Sequence, residues 1–148
     1  MNWLRRGRCD EGAELVEFAL VFPLLLMVVM GIIDFGFLFQ RYEVVTNAAR
    51  EGARIAVLPG YAQPDVQQRV SDYLIAGGAT AAPTVTFLPP QPVNVGGACM
   101  TLTGVTVAYP HTYTFVGPIA GFFNKTLAST TLTSTAQMRY EGAAMACP

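Results

Sequence analysis

The sequence predicts an α+β fold, in which a long amino-terminal transmembrane helix continues into a small domain with a second short helix and an antiparallel sheet of three to four strands. An apolar run without any charge covers Phe18–Ile33 and resumes at Phe35–Phe39 after one aspartate. Beyond Ala79 the period of the apolar residues changes from that of a helix to that of a strand. The composition agrees, because 52% of the 148 residues are hydrophobic and only 13% are charged, which is unusual for a soluble domain.

The predicted membrane span covers residues 18–39. At 1.5 Å per residue it is roughly 33 Å long, about the thickness of one bilayer core. Arg5, Arg6 and Arg8 precede it, which favours an amino terminus in the cytoplasm and a domain outside. No small-residue cleavage motif follows the apolar run, so any processing is expected before the span.

Four residues in or directly before this span are unusual for an ordinary membrane anchor. Glu14 and Glu17 directly precede the apolar run, although a carboxylate that enters hydrocarbon costs several kcal/mol. Pro23 either loosens the helix about a turn and a half after Glu17 or is a tolerated kink. Asp34 lies inside the outer end of the span, where three roles are open: snorkelling to the interface, pairing with Arg41, or facing a partner helix.

The helix is expected to continue beyond the membrane to Leu58, since Pro59–Gly60 is the first strong break. A stripe of small residues lies on one face of this part, and such a stripe allows another backbone to come close. It packs either against the chain's own domain or against the helix of a second subunit. The stripe consists of Ala49, Gly52, Ala53 and Ala56.

A second helix is predicted from Pro64–Asp65 to Gly77–Gly78. Its expected apolar face consists of Val66, Val70, Tyr73 and Leu74.

The strands are predicted from alternating apolar residues. Thr84–Leu88 and Met100–Tyr109 alternate, and the proline- and glycine-rich segment between them, residues 89–97, is predicted to be a loop. Gly104 is expected to mark a bulge. A short strand is predicted at residues 111–116 after Pro110, and a long Thr- and Ser-rich strand at Lys125–Glu141.

The sequence contains little that indicates an active site. His111 is the one histidine, in a predicted exposed turn, and is interpreted as incidental. The chain has no CxxC, HExxH or GxxxxGK motif. We therefore expect no enzyme activity, no cofactor, no metal site and no nucleic-acid partner, the last because the net charge is only −1.

The cysteines offer one possible covalent link. Cys99 and Cys147 lie in the predicted outer domain and Cys9 in the cytoplasmic segment. Cys99 and Cys147 are a candidate disulfide in an oxidising compartment, and the alternative is two unrelated thiols.

Three segments resemble a known family: "GAELVEFALVFPLLLMVVMGIIDFG", "AAREGAR" and "TAQMRYE". They resemble the TadE-like family, the minor pilins or pseudopilins of tight-adherence (Flp-type) pili, a branch of the type IV pilus class. The resemblance implies that a prepilin peptidase cuts between Gly12 and Ala13. Glu17 is then the fifth residue of the mature chain, and Phe18 stands where major pilins usually have tyrosine. Glu14 or Glu17 would pair with the α-amino group of an adjacent subunit in the dry helix bundle of a filament.

The resemblance also implies an organisation and a location. Residues 1–12 would be a cytoplasmic leader, in which Asp10–Glu11 dilute the basic charge. Residues 13–58 would form the long helix, and residues 59–148 a periplasmic or extracellular pilin-like domain. The single-pass protein would lie in the bacterial inner membrane and later in the pilus at the cell surface. Its expected partners are the peptidase, other pilin subunits, the inner-membrane assembly platform and membrane lipid.

Two alternatives remain open at this point. One is an uncleaved, membrane-anchored accessory protein of the pilus or secretion apparatus. The other is a surface binding module that presents the Thr-rich sheet.

Overall fold

The computed structural model describes residues 7–123 and 128–140. Three antiparallel strands lie in the order β1-β2-β3 and pack against the carboxyl-terminal half of a long first helix. This arrangement confirms the predicted α+β class, with three strands. The elements are α1 (Gly7–Ala56), α2 (Gln63–Ala76), β1 (Thr84–Val95), β2 (Ala98–Thr112), α3 (Val116–Phe123) and β3 (Ser129–Tyr140).

Helix α1 has 50 residues and continues through Pro23. All residues from 12 to 29 are exposed, whereas from Met30 onward the domain covers one face of the helix. The helix ends at Ala56, two residues before the predicted end at Leu58, and a turn follows.

The core forms where the small residues of α1 meet α2 and the sheet. Ala49 and Ala53 have no exposed surface. A Cβ atom on Gly52 would lie 2.6 Å from Cγ2 of Val70 in α2 and 3.0 Å from Cγ2 of Val105 in β2, which is closer than carbon atoms pack. The small-residue stripe is therefore used within this chain, to bring α1 close to its own domain.

Helix α2 has the termini that the sequence predicts. The Asp65 carboxylate accepts a hydrogen bond from the Ala62 N–H at 2.8 Å. At the other end, the N–H groups of Gly78 and Ala79 donate to the carbonyls of Ile75 and Leu74, with Gly78 at a φ of 75°, which is a Schellman motif. Val66, Val70 and Leu74 are buried as expected, but Tyr73 is 39% exposed and does not belong to the apolar face.

Residues 89–95, which were predicted to be a loop, instead extend β1 to a tight hairpin. Val95 pairs with Ala98, and the two residues between them, Gly96 and Gly97, have φ values of 59° and 87°. Positive φ at both positions is the requirement of a two-residue type I′ turn. The strand continues because its prolines lie at an edge of the sheet, where missing N–H groups are tolerated.

The sheet has a bulge beside Gly104, as the sequence suggested, but the extra residue belongs to β1. The register shifts between Leu88, which pairs with Gly104, and Gln91, which pairs with Leu102. Gly104 has a further role, since a Cβ atom there would collide with the carbonyl oxygen of Ala136 in β3.

The short strand predicted at residues 111–116 does not exist as a separate element. His111 and Thr112 complete β2, where they pair with Thr130 and Ser129. Pro110 lies beyond Ala108, the last residue of β2 that pairs with β1, so it occupies a stretch with a neighbour on one side only. The predicted strand Lys125–Glu141 is present as β3, although residues 124–127 and 141 lie outside the described part of the chain.

A charged cluster joins α1 to α2. Glu51 on α1 accepts hydrogen bonds from Nε and Nη2 of Arg54 at 2.9 and 2.8 Å, and from Nε of Arg69 on α2 at 3.0 Å. The Glu51 side chain is only 17% exposed. The hydrogen bonds from Arg54, followed by those from Arg69, outweigh the effect of burial and lower the pKa of Glu51 from 4.5 to about 2.

The first prediction concerns the pH dependence of stability. Because the pKa of Glu51 is lower in the folded state, its contribution is present above about pH 4.5 and is lost as the pH falls towards 2. The shift corresponds to at most about 3 kcal/mol, and solvent screening of the two half-exposed arginines reduces this to about 1 kcal/mol. Glu51→Gln should therefore lower the free energy of unfolding at pH 7 and have little effect at pH 2.5.

The measurement is denaturant unfolding of the full chain in detergent micelles, followed by circular dichroism at pH 7, 4 and 2.5. Glu43→Gln, at an exposed position on the same helix, is the matched control. An equal loss of stability for Glu51→Gln at all three pH values would contradict the assignment.

Candidate membrane and assembly helix

The amino-terminal half of α1 presents a continuous apolar surface. Residues 12–33 are roughly 33 Å long. Apart from the half-buried Met30, their large apolar side chains are exposed, with 69% for Leu15 near the start and 41% for Ile33 at the end. Within the described residues, α1 is the one helix that is long and apolar enough to cross a membrane. A surface of this size exceeds what monomeric soluble proteins leave exposed, and it fits a single-pass membrane anchor.

The residues predicted for processing and assembly lie at the start of this exposed helix. Gly12, Ala13, Glu14, Glu17 and Phe18 are all exposed on α1. Glu14 and Glu17 are three residues apart, so their carboxylates are neighbours on one face of the helix. A cation near this face would therefore relieve a repulsion between two like charges.

Asp34 has a role that the sequence did not predict. It is only 2% exposed, and its two oxygens accept hydrogen bonds from three consecutive backbone N–H groups. The Thr114 N–H donates to Oδ1 at 2.9 Å, the Phe115 N–H to both oxygens at 3.1 and 2.9 Å, and the Val116 N–H to Oδ2 at 2.6 Å. Within the described residues the carboxylate is thus enclosed by the chain's own backbone and makes no ion pair with Arg41.

These three donors lie at the start of α3: Thr114 and Phe115 directly precede the helix, and Val116 is its first residue. The first N–H groups of a helix have no partner inside the helix, and Phe115, which directly precedes α3, has no side-chain oxygen that could cap it. Asp34 supplies the cap from 80 residues away in the sequence. The partial positive charge of the helix amino terminus in turn stabilises the buried carboxylate.

Arg41 binds the end of the other short helix. Its Nη1 donates to the carbonyl of Gly77, at the carboxyl terminus of α2, at 2.8 Å. Arg41 lies two turns after Asp34 on α1. The Asp34 carboxylate thus lies at a helix amino terminus, where the helix dipole favours negative charge, and the Arg41 guanidinium lies at a carboxyl terminus, where the dipole favours positive charge. Together they fix how α2 and α3 lie against α1.

His111 lies near the end of β2. The prediction of an exposed turn at this position is wrong. It is 8% exposed, and its ring meets that of Tyr113 edge to face with the centroids 5.5 Å apart. The pKa of His111 is lowered, mainly by burial and to a smaller extent by the Arg41 charge. The Asp34 charge acts in the opposite direction but is outweighed. Among the described residues, no three His, Cys, Asp or Glu side chains are grouped as a metal site requires.

The described residues include only one of the two cysteines in the predicted disulfide. Cys99, at the start of β2, is disulfide-bonded. Cys147 lies outside the described residues, so the pairing of the two stays a prediction.

The sequence reasoning missed α3, since Val116 was assigned to a short strand and residues 117–123 to no element. A signal was present in Pro118, since proline is favoured in the first turn of a helix. The cap that Asp34 provides had no local signal, because its donors are backbone groups far away in the sequence.

The second prediction tests the cap. Asp34→Ala removes the acceptor of three backbone N–H groups, and each hydrogen bond to a charged group contributes roughly 1.5–3 kcal/mol. We expect amide hydrogen exchange in residues 114–123 to become at least about tenfold faster, since 1.4 kcal/mol is a factor of ten.

The measurement is hydrogen exchange with mass spectrometry on the full chain in micelles. Asp72→Ala is the matched control, because the exposed Asp72 carboxylate accepts only a hydrogen bond from Gln68, one turn away on α2. Unchanged protection of α3 in Asp34→Ala would refute the role of Asp34 as a cap.

Comparison with known proteins finds a family match for the segment that forms most of α1. The model of the family described as TadE-like protein matches residues 12–54. No curated protein and no solved structure matches the chain. The matched residues run from the predicted cleavage site to the last turn of α1, and include Asp34, Arg41 and Glu51. The resemblance is therefore confirmed for the first two of the three segments, and residues 12–54 match a TadE-like domain. The third segment, "TAQMRYE", lies outside the match.

Proposed function

We propose that this protein is a minor pilin or pseudopilin, which a prepilin peptidase processes between Gly12 and Ala13. A TadE-like domain indicates a protein associated with tight-adherence pili. The processed chain takes part in assembling the pilus, by priming it, forming its tip or modulating it. Its role is structural and not enzymatic, and it needs no cofactor.

The observation that carries the proposal is the exposed helix of residues 12–33. The chain's own domain covers none of residues 12–29, so these apolar side chains need lipid or other helices around them. A pilin subunit meets both surroundings, first in the bacterial inner membrane and then in the filament. The partners are accordingly the peptidase, the assembly platform, membrane lipid and other pilin subunits.

Glu17 has a defined task in this proposal. Cleavage before Ala13 creates a new α-amino group, and in a filament that cation lies close to the glutamates of a neighbouring subunit. Two neighbouring carboxylates, Glu14 and Glu17, provide a strongly negative start of the helix. Pairing compensates charges that would be costly in a dry bundle.

The alternative is an uncleaved accessory protein anchored in the same membrane. It is favoured by one observation, that α1 is helical without interruption from Gly7 through the predicted cleavage site. In that case Glu17 has no partner to pair with, which separates the two proposals.

The third prediction concerns processing. We expect the protein isolated from membranes to begin at Ala13 when the prepilin peptidase is present, and at Met1 when the peptidase gene is deleted. The measurement is intact mass with amino-terminal sequencing. Gly12→Val should block the cut, because a branched side chain at the cleaved bond obstructs a site shaped for glycine. A chain that begins at Met1 in both strains would exclude a processed pilin and favour the accessory protein.

The fourth prediction concerns assembly. Glu17→Ala should still be cleaved, but its amount in the sheared pilus fraction should fall by at least about tenfold, equivalent to about 1.4 kcal/mol of lost pairing. Glu43→Ala, an exposed glutamate on the domain part of α1, is the control and should assemble normally. Normal amounts of Glu17→Ala in the pilus fraction would contradict the pairing.

A further inference from the structure

Helix α3 is the most apolar element of the domain. Its sequence is VGPIAGFF, and no residue between Thr112 and Asn124 is charged. Phe115 and Ile119 are 39% and 38% exposed, and Pro118 is exposed between them. These positions follow the i, i+3, i+4 spacing of one helix face. An apolar face of this kind gains roughly 25 cal/mol for every Å² removed from water.

The fold places this face at the end of the domain that is nearest the membrane span. Strand β2 runs from the Gly96–Gly97 hairpin towards α3, over 15 residues, or roughly 46 Å. The start of α3 is bound to Asp34, which lies inside the outer end of the apolar run of α1. Met30 and Gly31 are half-buried, so the domain covers α1 for about one turn on the membrane side of Asp34.

The length of the exposed helix sets where the bilayer ends. Residues 18–39, which follow Glu14 and Glu17, are roughly 33 Å long and match a hydrocarbon core of about 30 Å. Phe35, Phe37 and Phe39 are still 56%, 45% and 56% exposed. The outer boundary of the core then falls close to Phe39, and Asp34 lies about 7 to 8 Å of helix inside it. A carboxylate that faced lipid at this depth would be costly. The Asp34 carboxylate is instead enclosed by N–H groups from α3, which must therefore lie at the same depth.

We propose that α3 and the residue before it form a membrane-interface element, in which Phe115, Pro118 and Ile119 contact lipid at the outer surface of the bilayer. The occupant of this apolar face is lipid, because the backbone N–H groups of Phe115 and Val116 bind Asp34 inside the apolar span of α1, so the face lies at the depth of the outer part of the bilayer. A short apolar helix in the interface buries its side chains about 5–10 Å into the boundary of headgroups and acyl chains. The proposal depends on α1 spanning the membrane, and the experiment tests that condition separately.

The fifth prediction is the depth of this face in a bilayer. The chain has a single tryptophan, so Trp3→Phe gives a silent background into which one tryptophan is placed at a time. The full chain is reconstituted in phosphatidylcholine–phosphatidylglycerol vesicles, with and without brominated acyl chains. We expect blue-shifted emission from Ile119→Trp and at least about a twofold quenching by the brominated lipid.

Two control variants show how a tryptophan behaves in the bilayer and in water. Val28→Trp, on the exposed apolar part of α1, should be quenched by the brominated lipid. Val95→Trp, 54% exposed at the distal hairpin, should emit as in water and be quenched by iodide. Phe115→Trp is a second probe of the same face, and it carries the test if Ile119→Trp fails to fold.

The outcomes distinguish the inference from its premise. If Val28→Trp is quenched by the brominated lipid but both α3 probes behave like Val95→Trp, the interface element is wrong and the span stands. If the α3 probes are shielded from bromine and iodide alike, protein covers the face, as a second copy would, and the inference is also overturned. If Val28→Trp is not quenched either, α1 does not span the bilayer.

Discussion

The hydrogen bonds from the start of α3 to the Asp34 carboxylate fix the geometry of the whole molecule. A buried carboxylate is tolerated only where donors surround it, and three consecutive N–H groups at a helix amino terminus meet that need. Since the donors are far from Asp34 in the sequence, the contact joins the end of the apolar helix to the last third of the chain. Arg41 adds the opposite contact with α2 two turns later. One face of α1 is thereby committed to the domain.

The part of α1 beyond Asp34 packs on the domain through one face. That face contains Val45 and Ile55 as well as the small residues Ala48, Ala49 and Ala53, and Gly52 brings Val70 and Val105 within contact of the helix backbone. Before Met30 the side chains are mostly large, apolar and exposed. The domain therefore comes closest to α1 at the small residues and leaves the part before Met30 uncovered. A TadE-like match that covers both parts agrees with one continuous functional helix.

Local signals predicted the elements well where each residue acts on its own neighbourhood. The period of the apolar residues gave α1 and α2, and the paired glycines marked the end of α2. The predictions failed where an edge or a distant partner overrides local preference. Prolines at positions 89, 90 and 92 indicated a loop, but they lie in an edge strand whose missing N–H groups disrupt little. Gly104 indicated a bulge, but it did not reveal that the close backbone of β3 also requires a glycine there.

The amino-acid sequence by itself determined that a long apolar helix precedes a small α+β domain, that two carboxylates stand at the start of that helix, and that the segment is TadE-like. These properties reside in residues close together in the chain, so composition and period reveal them. The tertiary structure alone decided what Asp34 does, which neighbour covers the small-residue stripe, and where α3 lies relative to α1. Each of these depends on residues far away in the chain: Val70 and Val105 lie against Gly52, and the donors to Asp34 are about 80 residues away. Those donors are backbone groups, which leave no mark in a sequence because every residue except proline has one.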